Sequence, residues 1–119
     1  MARVVLIEDD ALVRTLLMRR MIQAGWGVIP LKDARGLDAL LAAERVDLLV
    51  MDVGLPDIDG LTVVEGLRAR GITTPVLVIT AYELPHLYTT AQGAGANDLV
   101  QKPFDQEELI ARMARLLAA

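Results

Sequence analysis

Glu8 and Asp9, Asp52, Thr80 and Lys102 share one placement: each stands at or just past the end of a short run that reads as a strand. Val4-Val5-Leu6-Ile7 stops at Glu8-Asp9-Asp10, and Leu48-Leu49-Val50-Met51 stops at Asp52. The run 75–79 ends on the hydroxyl of Thr80, and the run 97–101 leads into Lys102-Pro103. An acidic group at the end of a buried strand is costly unless something uses or neutralises it. Were these side chains to share one pocket, the chemistry would follow from charge. Clustered carboxylates repel, so one is protonated or a hard cation sits among them. Oxygen ligands in a part-open site suit Mg2+, which keeps several waters and binds through one or two carboxylates plus a phosphate. A lysine beside them adds a compact positive charge for a carboxylate or a phosphoryl oxygen, and a threonine hydroxyl can donate to another such oxygen. A carboxylate held this way is a plausible nucleophile for an aspartyl phosphate, with Mg2+ offsetting charge on the transferring group and orienting it.

The elements that must position these residues are legible in the hydrophobic periods. Residues 3–7 read as a buried first strand. From residue 11 to 24 the period changes: Val13, Leu17 and Met21 are spaced for one helix face, with Arg14, Arg19 and Arg20 for the wet side. Residues 26–30 give a short second strand whose terminal Pro30 suits a sheet edge. Asp33 is the expected cap of a helix over 34–43, with Leu37, Leu40 and Leu41 inward. Asp59 likewise is expected to cap a helix over 60–69. A fourth strand spans 75–80. A fourth helix, over 84–92, admits Pro85 only in its first turn and ends at Gly93 and Gly95. A fifth strand covers 97–101, and Asp105 with Glu108 resembles a capping box for a last helix with Leu109, Met113 and Leu116 on one face. Strand–helix alternation with unbroken apolar third and fourth strands implies an α/β fold with a parallel sheet covered on both faces. All strand C-termini then lie on one edge, where such folds form their sites.

Composition bounds the rest. The 119 residues suit one domain spanning 1–119, and 54% hydrophobic content with 3% aromatics predicts an aliphatic core. A net charge of −4 with scattered basic residues argues against direct nucleic-acid binding. Cysteine is absent, excluding disulfides and thiolate metal sites. With no apolar stretch of about 20 residues and no signal-peptide pattern, a soluble, cytoplasmic domain without membrane association is expected.

Singly, each polar residue has an ordinary reading. Glu8-Asp9-Asp10 is an acidic turn in which Asp10 caps the first helix, Thr80 is a strand-end residue, and Lys102 is a surface lysine, although one of two against ten arginines. His86, the one histidine, reads as an exposed helix residue. For Asp52 alone the two readings balance; for the set, several independent coincidences would be needed. Asp57-Ile58-Asp59-Gly60 suggests a calcium loop, but with Gly60 in sixth place the first and twelfth positions fall on Leu55 and Gly66, which cannot serve. Phosphate-cradling glycine motifs are absent as well.

Over essentially its whole length the chain resembles the response-regulator receiver domains of two-component signalling. The matching residues are VVLIEDD at 4–10, MDVGLPDIDG at 51–60, VLVITA at 76–81, GAND at 95–98 and QKPF at 101–104. The resemblance implies a flavodoxin-like doubly wound (βα)5 fold with strand order 2-1-3-4-5. It implies Asp52 as phospho-acceptor, Asp9 and Asp52 as Mg2+ ligands, Glu8 acting through water, and the Gly54 carbonyl completing the metal shell. Thr80 becomes the switch hydroxyl, Lys102 the phosphoryl contact, and Lys102-Pro103 the family's usual cis peptide. Ala81, Tyr82, Leu99 and Pro103 fall at positions that switch or modulate. The implied donor is a sensor histidine kinase or phosphotransfer protein. The implied output is an unidentified protein target bound through helix four, strand five and helix five. Self-phosphorylation and slow hydrolysis would make this a signalling module rather than a metabolic enzyme.

Three features bear on how such a domain would work. Leu99 stands where the family usually has Tyr or Phe, so the switch is expected to run through residues 80–85 and the fourth helix. Gly54 and Tyr82 flank the route of an attacking water. Asp98, Glu108 and Arg112 match the charges with which DNA-binding relatives pair, but Tyr88 replaces the expected base, so a monomer or weak dimer is expected. The apolar face of Leu84, Leu87, Tyr88 and Leu99 is left for something else. The competing readings are an interaction module that works without phosphorylation, an N-terminal receiver of a longer DNA-binding regulator, and a flavodoxin-like small-ligand protein. Against the last, this chain has Glu8-Asp9-Asp10 after its first strand where such a protein needs a phosphate-cradling loop.

Overall fold

β-Branched and leucine-rich runs form the five strands of a parallel sheet: β1 (Arg3–Ile7), β2 (Gly27–Leu31), β3 (Leu48–Asp52), β4 (Val76–Thr80) and β5 (Asp98–Gln101). Their order is β2-β1-β3-β4-β5, as the resemblance implies. Five helices alternate with them: α1 (Ala11–Gln23), α2 (Leu37–Ala43), α3 (Ile58–Ala69), α4 (Leu87–Ala94) and α5 (Gln106–Ala118). This computed structural model describes residues 1–53, 58–81 and 87–118, and only the backbone of residues 58 and 59.

Alternation along each strand splits the core in two. Val5, Ile7, Leu49, Met51, Val76 and Val78 face Leu37 of α2, Val64 and Leu67 of α3 and Ala91 of α4. Val4, Leu6, Leu48, Val50, Leu77 and Ile79 face Leu17 and Met21 of α1 and Leu109 and Met113 of α5. Full burial of each such Val, Leu, Ile or Met side chain contributes about 1.5–3 kcal/mol, and burial on both faces explains why β3 and β4 carry no polar residue before their last position. Among the described residues no helix is long and apolar enough to cross a membrane.

Several local expectations are corrected. The second strand runs one residue later than expected, so Pro30 lies inside it, at the sheet edge. α2 begins at Leu37 behind Gly36, whose φ of 76° breaks the helix. Asp33 therefore caps no helix; its Oδ1 accepts from the Arg35 amide at 2.9 Å and holds a turn. Asp59 is the second residue of α3 rather than its cap. Gly93 lies within α4, and Gly95, at φ 110°, ends it. Of the capping box only half forms: Asp105 Oδ1 accepts from the Glu107 amide at 2.8 Å, while Glu108 accepts from Arg112. Asp10 does cap α1, accepting from the Val13 amide at 3.0 Å. The wet side of α1 is less polar than its period suggested, with Leu12, Leu16 and Ile22 exposed. Leu84, Pro85 and His86 lie outside the described residues.

Candidate functional site

Each candidate side chain is delivered by a strand whose ladder continues past its end. The Glu8 amide donates to the Leu31 carbonyl at 3.0 Å, Val53 N–H to the Ile79 carbonyl at 2.9 Å, and Lys102 N–H to the Thr80 carbonyl at 2.7 Å. Arg14 of α1 reaches back and donates to the Glu8 carbonyl at 2.7 Å. The backbone under the site is thus held at each strand end by a neighbouring strand and, at Glu8, by a helix as well, which limits the freedom of the side chains it presents.

Asp52, with its side chain 6% exposed, accepts a hydrogen bond and ion pair from the Lys102 ammonium, 33% exposed. The Lys102-Pro103 peptide is cis. Thr80 is 1% exposed and stands one residue beyond Ile79, the register partner of Asp52. Glu8 is 2% exposed, and its Oε2 has no hydrogen-bond partner among the described residues. Burial, a hydrogen bond with Asp52 and the Asp52 charge push Glu8 up to about 7, against partial relief from Lys102. For Lys102, burial pulls the ammonium down, but its hydrogen bond to Asp52 and the charges of Asp52, Glu8 and Asp9 outweigh that and raise it. Asp9, next along the chain from Glu8, is exposed and lines a cleft of about 280 Å³ together with Asp52.

Among the described residues no three metal-ligating side chains form a ready cation cage. Two carboxylates, Asp9 and Asp52, on one cleft fit Mg2+, which takes few protein ligands and keeps its waters. Glu8 is pushed up first by burial and then by Asp52 and Asp9, and a hard cation beside those two carboxylates would offset their charge.

The sequence-predicted set is therefore brought to one edge, with Asp52, Lys102, Glu8 and Asp9 in one cluster and Thr80 at the neighbouring strand end. Ala81 is exposed, Pro103 is exposed, and Leu99 is half-buried against the α3–α4 side of the core. Gly54 and Tyr82 lie outside the described residues. Asp98 and Glu108 are occupied within the chain, where Arg112 donates to them at 2.9 and 3.4 Å. Sequence reasoning missed Arg14 as an anchor and Lys32, Asp33 and Val63 as cleft walls. Lys32 was discoverable: with β2 ending at Leu31, it is another polar residue just past a strand.

Comparisons with known proteins place the chain in a family and agree with the fold. A family model, the response regulator receiver domain, matches residues 4–114. The response regulator MprA of Mycolicibacterium vanbaalenii is 40% identical over 115 residues, covering 97% of this chain and 50% of that protein. The transcriptional regulatory protein PhoP of Escherichia coli K12 is 39% identical over 115 residues, covering 97% and 52%. The chain thus spans about half the length of these relatives. Among solved structures, the receiver domain of the TMAO respiratory system response regulator TorR superposes with a TM-score of 0.88 at 29% identity, covering 99% of this chain and 98% of that one.

Proposed function

The chain belongs to the response regulator receiver family, and from that membership we propose that it accepts a phosphoryl group on Asp52 from a phosphohistidine donor. The donor would be a sensor histidine kinase or phosphotransfer protein, and the setting cytoplasmic. The observation that carries the reading is the Asp52–Lys102 pair, with Asp52 and Asp9 lining one cleft. An Asp52 oxygen attacks phosphorus in line, the bond to the donor nitrogen breaks, and the imidazole leaves with the electron pair. Lys102 is already within reach of Asp52 and turns to a phosphoryl oxygen. Asp9 and Asp52, with Glu8 through water and the Gly54 carbonyl, are the residues that would hold Mg2+. When bound, Mg2+ supplies charge neutralisation for the transfer.

Output follows from the added charge. Thr80, buried one strand away, is suited to donate to the new phosphoryl group, shifting α4 between two states; the expected shift of residues 80–85 falls mostly outside the described residues. Leu99 is already packed against the core, which supports a switch that works without a swinging ring at that position. The surface of α4, β5 and α5 is the proposed output face, with Tyr88 48% exposed on it. Internal pairing of Asp98 and Glu108 with Arg112 favours a monomer or weak dimer.

Mass spectrometry tests the reading. With acetyl phosphate and Mg2+ the wild type gains one phosphoryl group, and Asp52→Asn gains none. Equal labelling of both would exclude Asp52 as acceptor. A second reading is that this receiver acts as part of a transcriptional regulator, which the roughly twofold greater length of relatives bearing that name supports.

A further inference from the structure

The chain carries ten arginines and two lysines, and both lysines stand at the carboxyl edge of the sheet. Lys102 is committed to Asp52. Lys32 follows the last residue of β2, whose carbonyl is bonded to the Glu8 amide, and it lines the same cleft of about 280 Å³ as Asp9 and Asp52. It is exposed, and no described carboxylate holds it in an ion pair. The nearby Asp33 is engaged instead with Arg35, through the Arg35 amide at 2.9 Å and its guanidinium at 3.8 Å. A lysine is a compact charge on a flexible stem, suited to meeting a small anion that arrives from solvent.

We propose that Lys32 is a specificity residue that favours small phosphodonors with an anionic leaving group, acyl phosphates in particular. The proposal rests on Asp52 being the phospho-acceptor. In that transfer an Asp52 oxygen bonds to phosphorus, the phosphorus–oxygen bond to the acyl group breaks, and a carboxylate leaves with the electron pair, no proton being required. Negative charge grows on the departing oxygen, and the Lys32 ammonium on the cleft wall stabilises it. A donor that releases neutral ammonia or imidazole gains nothing comparable from the same cation.

The test compares acetyl phosphate with phosphoramidate, which releases ammonia, on wild type, Lys32→Ala, Lys32→Glu and Lys32→Arg, with Mg2+ present. A single exposed charge pair is modest, so Lys32→Ala should lower the second-order rate constant for acetyl phosphate about fivefold. Lys32→Glu should lower it further and Lys32→Arg restore most of it. Phosphoramidate rates should change less than about twofold in every variant. The acetyl phosphate rate of wild type should also fall with added salt more steeply than that of Lys32→Ala. Equal loss with both donors, or no loss with either, overturns the assignment while leaving Asp52 as acceptor. Failure of the wild type to label with either donor overturns the acceptor reading, and this assignment with it.

Discussion

The two edges of the sheet treat their polar groups in opposite ways. At the amino edge, Asp47 and Asn97, each just before a strand, use one device. Asp47 Oδ2 accepts from the Arg3 amide at 2.9 Å while its own amide donates to the Arg3 carbonyl. Asn97 Oδ1 accepts from the Val76 amide at 2.9 Å while its amide donates to the Val76 carbonyl. Arg68 of α3 completes the edge, donating to the carbonyls of Gly95, Ile72 and Thr74 and to Asn97 Oδ1 at 2.8–3.0 Å. Gly95 lets that arginine approach, because a Cβ there would meet Arg68 Cγ at 2.5 Å. At the carboxyl edge, carboxylates crowd together and a buried Glu8 oxygen has no partner among the described residues. One edge closes the fold with matched donors and acceptors; the other leaves charge unbalanced where a cation and a phosphoryl group would balance it. Local conflict of that kind is expected at working sites and costs stability.

Arg68→Ala breaks the comparison most forcefully. It strips three carbonyls of their donor and Asn97 Oδ1 of one of its two, and should cost about 2–3 kcal/mol in urea unfolding. Labelling of Asp52 in the fraction that stays folded should be unchanged. If the variant were as stable as wild type, the amino edge would not be the closed edge described.

Glu8→Gln sharpens the other half. Glu8 titrates near 7 in the folded chain against 4.5 as its ordinary value, so between those pH values the folded state holds a proton the unfolded state has released. Stability of the metal-free protein should therefore fall as pH rises through that window and level off above it. In Glu8→Gln the fall should be weaker, leaving the variant more stable than wild type at pH 8. Denaturant midpoints at pH 5 and pH 8 with chelator present decide this, and parallel curves for the two proteins would count against a strained Glu8.

The smallest effect is expected where α5 meets the start of β5. Arg112→Ala removes a pair to the largely buried Asp98 of β5 and one to the exposed Glu108 of α5, and should cost about 1–2 kcal/mol. A larger loss would mean that this junction, too, is part of the closed framework.

Much of the site was visible in the chain because strand-end chemistry is local. Leu48 to Met51 followed by Asp52, or Val76 to Ile79 followed by Thr80, announces a buried strand and its polar stop within a few residues. The misplaced helix starts at Asp33 and Asp59 have the opposite cause. Either aspartate suits a cap by type, but the helix begins where backbone and packing allow, behind Gly36 for α2 and already at Ile58 for α3. Lys32 escaped notice because a one-residue error at Pro30 hid the end of β2.

By itself, then, the sequence determined the alternation of strands and helices, the aliphatic two-sided core, and the gathering of Glu8, Asp9, Asp52, Thr80 and Lys102 on one edge. A parallel sheet has all its carboxyl ends together, so the period alone suffices. Only the tertiary structure decided that Lys102 pairs with Asp52 across 50 positions, that Arg68 meets Asn97 across 29, and that Lys32 shares the cleft. Such contacts depend on strand register and on how helices dock, and no hydrophobic period records which distant side chains that docking brings into reach.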